Sequence, residues 1–132
     1  MVLATPMFAQ TGIVKVTITG IENTDGNVEI GLYNSKENFP VFGKETQGAK
    51  IKPVKKGSLN CTFKNLPDGI YAIAVWHDDD GNQEMDTNLF GAPKENYGFS
   101  KNVYGTFGPP DFEDVSFKVK SGKVVNLTIN LE

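Results

Sequence analysis

The feature that most constrains this chain is a period-two alternation of apolar and polar residues, repeated in blocks across residues 14–131. Val14, Val16 and Ile18 fall on one side of an extended chain, and Lys15, Thr17 and Thr19 on the other. Successive strand residues point to opposite faces, so each such run offers one face to a core and one to water. After Asp25-Gly26 the pattern resumes, with Val28, Ile30 and Leu32 alternating with Glu29, Gly31 and Tyr33. An Asp-Gly pair between alternating runs predicts a hairpin.

Residues 51–54 read as a short edge strand, because Pro53 cannot donate to a central ladder. Lys56-Gly57 turns into a run with Leu59, Cys61 and Phe63 on one face. Leu66-Pro67-Asp68-Gly69 turns into residues 70–76, which are apolar on both faces and therefore predict a central, covered strand. Val115, Phe117 and Val119 form a further strand. Ser121-Gly122 then leads into Val125, Leu127, Ile129 and Leu131. No long helix fits; residues 35–42 hold at most one turn, interrupted by Pro40. About seven half-buried strands joined largely by hairpins predict an all-β fold, an antiparallel β-sandwich with one long ordered loop.

A chain of 132 residues suits one domain with a single modest core. Residues 1–10 are read as the remnant of a secretory signal or a disordered start, and 11–132 as the sandwich. The stretch Met1-Val2-Leu3-Ala4-Thr5-Pro6-Met7-Phe8-Ala9-Gln10 has apolar residues followed by small ones before a polar residue, as at a signal cleavage site. It points to a secreted or periplasmic location. No apolar run reaches the roughly 18 residues of a membrane span. All 13 basic residues are Lys and the net charge is −3. Without Arg forks and with mild net acidity, nucleic acid is an unfavourable partner.

Residues 87–113 break the alternation. They contain four Gly and three Pro, yet also Phe90, Tyr97, Phe99, Tyr104, Phe107 and Phe112. A disordered linker is poor in aromatics, so this loop is expected to fold back over a sheet edge or face. Two roles are open for its rings. They plug the sandwich, or Tyr97, Phe99 and Tyr104 stack against a ligand such as a glycan or envelope polymer.

Five of the sixteen acidic residues fall within residues 78–86, which follow the central strand and contain no Lys. Such a cluster repels itself, and either water and screening or a hard cation must offset the repulsion. Asp78, Asp80, Asn82 and Asp86 supply side-chain oxygens at positions 1, 3, 5 and 9, with the Glu84 carbonyl at position 7. That spacing is calcium-like, although Gln83 stands where an EF-hand loop has Gly and Leu89 where it has Glu. Zinc is disfavoured with one His and one Cys available. Cys61 alternates with Leu59 and Phe63 and reads as a small buried hydrophobe. His77 reads as a strand-end His bonded to a neighbouring oxygen. With no nucleophile motif, P-loop or Rossmann pattern, the chain is expected to be non-enzymatic. Two glycosylation-type triplets, Asn60-Cys61-Thr62 and Asn126-Leu127-Thr128, lie inside strands and are taken as coincidental.

The run Leu66-Pro67-Asp68-Gly69-Ile70-Tyr71-Ala72-Ile73-Ala74-Val75-Trp76-His77-Asp78, with Gly81-Asn82, Asp86-Thr87-Asn88, Gly91-Ala92-Pro93-Lys94-Glu95, Tyr97-Gly98-Phe99-Ser100 and Phe107-Gly108-Pro109-Pro110-Asp111-Phe112, resembles the bacterial domain-of-unknown-function family 2141. The resemblance covers nearly all of residues 12–131. It implies an exported protein with a transthyretin-like or immunoglobulin-like sandwich, and it implies no activity. The family's loop usually reads Asp-x-Asn-Gly-Asn-Gly-x-x-Asp. Asp80 here adds charge, which favours a cation, while Gln83 replaces a turn Gly. The expectation is therefore an exported sandwich module whose rim loop binds Ca²⁺ for structure. A glycan- or envelope-binding module, with a glycan or an envelope protein as partner, is the alternative.

Overall fold

The computed structural model describes residues 11–41, 43–52, 54–78, 96–105 and 108–132. They form eight strands in two packed sheets. The strands are β1 (Gly12–Ile21), β2 (Asn27–Tyr33), β3 (Gln47–Ile51), β4 (Gly57–Leu66), β5 (Gly69–Asp78), β6 (Tyr97–Phe99), β7 (Phe117–Val119) and β8 (Val124–Asn130). A four-residue helix, α1, spans Phe112–Val115, and a 3-10 turn spans Ser100–Asn102. Among the described residues no helix is long and apolar enough to cross a membrane.

The first sheet has the order β4-β1-β8. The second runs β3-β2-β5-β6, with β7 also pairing β5. The fold is thus the all-β sandwich expected from the alternation, with eight strands rather than about seven. Its pairs are antiparallel except β1–β8, which is parallel in the register Val16↔Leu127. The core lies between the sheets. Val14, Val16, Ile18, Leu32, Ile73, Val75 and Ile129 are essentially fully buried there. β5 is central, and from Tyr71 to Asp78 every residue but Ala74 is buried.

Two local expectations change. The turn signals at Asp25-Gly26, Lys56-Gly57, Asp68-Gly69 and Ser121-Gly122 do reverse the chain, but each carries it from one sheet to the other. They are arches rather than hairpins. A glycine with positive φ, such as Gly26 at 63° or Gly122 at 75°, supplies a reversal. Which strand comes to lie alongside is set by where each apolar face finds cover. The edge strand is Gln47–Ile51 rather than 51–54: Ala49 and Ile51 turn to the core, a pattern that small residues hardly show in the sequence, and β2 is the strand it pairs with. Residues 36–40 form turns without a helix.

The side near β6 is closed. Tyr97 and Glu132 exchange backbone hydrogen bonds at 3.1 and 2.9 Å, joining β6 to the end of the chain beyond β8. The approach is so close that a Cβ on Gly98 would lie 2.7 Å from the Ile129 side chain and 2.9 Å from the Asn130 carbonyl. Asn102, at φ 54°, then serves as a pseudo-strand. Its Nδ2 donates to the Thr128 carbonyl at 3.1 Å, and its Oδ1 accepts from the Asn130 N–H at 2.9 Å.

Candidate functional site

The outward face of β2 and β5 carries a buried polar junction at the end where the acidic stretch begins. The register Asn27↔Asp78 and Glu29↔Trp76 puts Asn27, Glu29 and Asp78 on the face opposite the core residues Val28 and Ile30. Outward positions of a sheet are usually wet, but Asp78 is 0% exposed and Glu29 8%. Asn27 Nδ2 sits 3.4 Å from Asp78 Oδ2 and 3.5 Å from Glu29 Oε1. Both contacts are at the long limit of a hydrogen bond. Lys50 Nζ lies 3.4 Å from Glu29 Oε1 on the adjacent edge strand. Burial pushes the Glu29 carboxyl above its ordinary value, Lys50 opposes this, and the charges of Asp78 and Glu45 add to it.

His77 is on the core side of β5 and 2% exposed. Its Nε2 lies 2.7 Å from the Asp25 carbonyl, and its N–H donates to the Asn96 carbonyl at 2.9 Å. It ties the arch between β1 and β2 to β5, which is the strand-end role expected for it.

Of the residues assigned to a metal by their spacing, Asp78 is placed at the end of β5. Asp80, Asn82, Glu84 and Asp86 lie outside the described residues. Among the described residues no three His, Cys, Asp or Glu side chains form a metal-holding group.

The aromatic residues assigned to a ligand do come together, in a second core on the outer face of the second sheet. Tyr33, Phe39, Ala72, Phe99 and Val115 are buried in it, with Tyr97, Tyr104 and Phe112 packed against them. Phe39 makes edge-to-face contacts with Tyr33 at 5.4 Å and with Phe99 and Phe112 at 5.9 Å. Tyr97 meets Phe99 at 5.6 Å and Tyr104 at 5.8 Å. Phe99 is 6% exposed and offers no open ring face, while the Tyr104 hydroxyl donates to the Asn130 carbonyl. Burial, with the Glu45 charge behind it, pushes the Tyr33 hydroxyl up to about 12.

Two residues in these regions take structural parts that sequence reasoning missed. Glu29 reads as an ordinary outward residue of a half-buried strand. Ser100 reads as a loop serine, yet it is fully buried. On one edge of β5, β6 pairs Ala74 to Trp76 and β7 pairs Gly69 to Tyr71, leaving a gap. Ser100 fills it, because the Ile73 N–H donates to its Oγ at 3.0 Å and the hydroxyl donates to the Val115 carbonyl at 2.5 Å. Leu66-Pro67-Asp68-Gly69 has a structural part as well, since the Tyr71 hydroxyl donates to the Pro67 carbonyl at 2.8 Å.

The outer face of the first sheet is different. Ser58, Asn60 and Thr62 on β4 flank Thr17 and Thr19 on β1, and all are open or partly open to solvent. Thr17 Oγ1 donates to Asn60 Oδ1 at 3.0 Å, and Thr19 Oγ1 donates to Asn130 Oδ1. Both glycosylation-type triplets lie on this face because a spacing of two keeps strand residues on one side. Cys61, between the outward pair, turns toward the core, where burial pushes its thiol up.

No curated protein and no solved structure matches the chain. Residues 16–127 match a family described as uncharacterised proteins conserved in bacteria, DUF2141. That span includes part or all of every strand, the buried junction and the aromatic cluster, and the chain belongs to this family.

Proposed function

We propose that the protein is an exported, non-enzymatic sandwich module whose acidic rim binds one calcium ion as a structural element. The observation that carries this reading is the convergence of Asp78 and Glu29, both buried, at the start of the acidic stretch. A buried carboxylate is costly unless a cation or hydrogen bonds offset its lost hydration. Asn27 lies beside both carboxylates and Lys50 beside Glu29. Asp78 is also the first of the regularly spaced oxygen donors Asp78, Asp80, Asn82 and Asp86. Calcium suits that donor set, because it takes six to eight oxygens in loose geometry. The ion would neutralise the acidic stretch and fix the chain that leads from β5 to β6. In this reading Tyr97, Phe99 and Tyr104 serve packing. The leader-like start of the chain supports export.

Calorimetric titration of chelator-treated protein with calcium, and with magnesium as control, tests the proposal. Saturable, calcium-selective binding near one ion per chain is expected. At a hundredfold excess over Kd it should raise stability by about 2.7 kcal/mol through mass action. Asp78→Asn should abolish both the heat and the calcium-dependent rise in melting temperature. A full calcium response in that variant would remove the junction from the site.

A further inference from the structure

Beside the break that Ser100 fills on the edge of β5, a groove of about 520 Å³ opens between β5, β7 and the 3-10 turn. Ile70, Lys101, Ser116, Phe117 and Lys118 line it. Ligand sites are typically of about 300–1,000 Å³, with an apolar floor and a few polar groups that set orientation. We propose that this groove binds a small amphiphilic anion, an apolar chain or ring carrying a single carboxylate or phosphate.

Three observations meet here. The first is the floor. Ile70 is 42% exposed, one of only three large hydrophobics so open among the described residues. Its partner across the β5–β7 ladder is Lys118, so an apolar side chain and an ammonium lie side by side on one face. The second is charge. Among the described residues that line the groove two are lysines and none is acidic, in a chain whose net charge is −3. Two of the nearby acids have partners of their own. Asp68 accepts from the Ser121 N–H at 2.6 Å and from its hydroxyl at 2.5 Å, and Glu113 pairs with Lys36 at 3.4 Å. The third is placement. Lys101 has φ 64°, a conformation uncommon for a residue with a side chain. The adjoining Asn102 is held there by its two hydrogen bonds to β8, so Lys101 stands on a fixed wall rather than on a free loop. Fixing the backbone that carries the cation lowers part of the entropy lost on binding. A neutral hydrocarbon would leave the lysines unused, and a small hydrophilic anion would leave Ile70 wet.

The test uses the full chain and octanoate as probe, with acetate, 1-octanol and anionic phospholipid vesicles alongside, read by calorimetry and amide chemical shifts. Octanoate should bind saturably, with shifts centred on Ile70 and Lys118, and at least tenfold more tightly than acetate or octanol. The double variant Lys101→Gln/Lys118→Gln and the single variant Ile70→Ser should each weaken it at least tenfold without a change in melting temperature. All three positions are exposed or line the groove, so the fold should survive. Absence of saturable binding, shifts centred elsewhere, equal affinity for octanoate and octanol, or capture by vesicles without octanoate binding would each overturn the proposal. Adding or chelating calcium should leave the octanoate affinity unchanged, because the groove shares no residue with the acidic rim.

Discussion

On the three-stranded sheet, the outward positions of β1, β4 and β8 are chiefly hydroxyls and amides open to solvent. On the five-stranded sheet, the outward positions of β2 and β5 are buried or half-buried, apart from Ile70 at the end that pairs with β7. One half of that second face meets the aromatic cluster and the other half forms the carboxylate junction. Both faces alternate with the same core, and only the doubly apolar run of β5 marks one of them as covered. The difference is what the chain does between β5 and β7. Residues 96–105 and 108–115 lay Tyr97, Phe99, Tyr104 and Phe112 over the second sheet, whereas the outer face of the first sheet keeps its polar side chains in water. A covered face can hold desolvated charge and packed rings, and a bare one cannot. The features that suggest function therefore gather on the covered side.

The largest effect that would sharpen this contrast is in the cluster. Phe39 touches three other rings and is 8% exposed. Phe39→Ala should destabilise by about 3–5 kcal/mol, the range for emptying a large aromatic site. Thr17→Ala on the bare face should stay within about 0.5 kcal/mol, as for surface changes generally. Urea denaturation midpoints of the two variants decide it. Similar midpoints would make the cluster a loose plug rather than a second core.

Ser100→Ala comes next. It leaves the Ile73 N–H without its acceptor and the Val115 carbonyl without its donor, both in a buried place. The expected loss is about 1–3 kcal/mol, the cost of an unsatisfied buried polar group. Amide exchange at Ile73 should quicken, while Ser58→Ala on the bare face should do neither. Unchanged exchange at Ile73 would mean that water replaces the hydroxyl and that the break is open to solvent.

The alternation made the strands legible because each strand buries one face against the opposite sheet. Val14, Val16 and Ile18 lie where the period places them, and so do Val125, Leu127 and Ile129. The apolar run of β5 announced its central place, and the aromatic loop announced that it would fold back. Connectivity was less legible. Gly122 marks a reversal, but nothing local says that β8 crosses to the first sheet and runs parallel to β1. That follows from long-range competition for cover. The junction was half legible. Asp78 belongs to a visible acidic run, whereas Glu29 looks like any outward residue between Val28 and Ile30. Its burial is a tertiary fact, created by neighbours distant in sequence.

Glu29 offers the smallest effect and the one that links the covered face to calcium. Its carboxyl is raised above the ordinary 4.5, chiefly by burial. A raised acid binds its proton more tightly in the folded state, so its contribution to stability is fully present below the unfolded value. That contribution is lost as pH rises through the folded value. Wild-type stability should therefore carry a downward component just above pH 4.5, and Glu29→Gln, which cannot ionise, should lack it. On the bare face Asn60→Asp is the matching control. Its new carboxylate is exposed, so no comparable downward component should appear. A calcium ion beside Glu29 would favour the charged form and draw its pKa back down, flattening the wild-type slope. Melting temperatures across pH 4–7, with calcium and with chelator, read both effects. A slope that Glu29→Gln removes and calcium leaves untouched would keep the buried carboxylate but move the ion away from it.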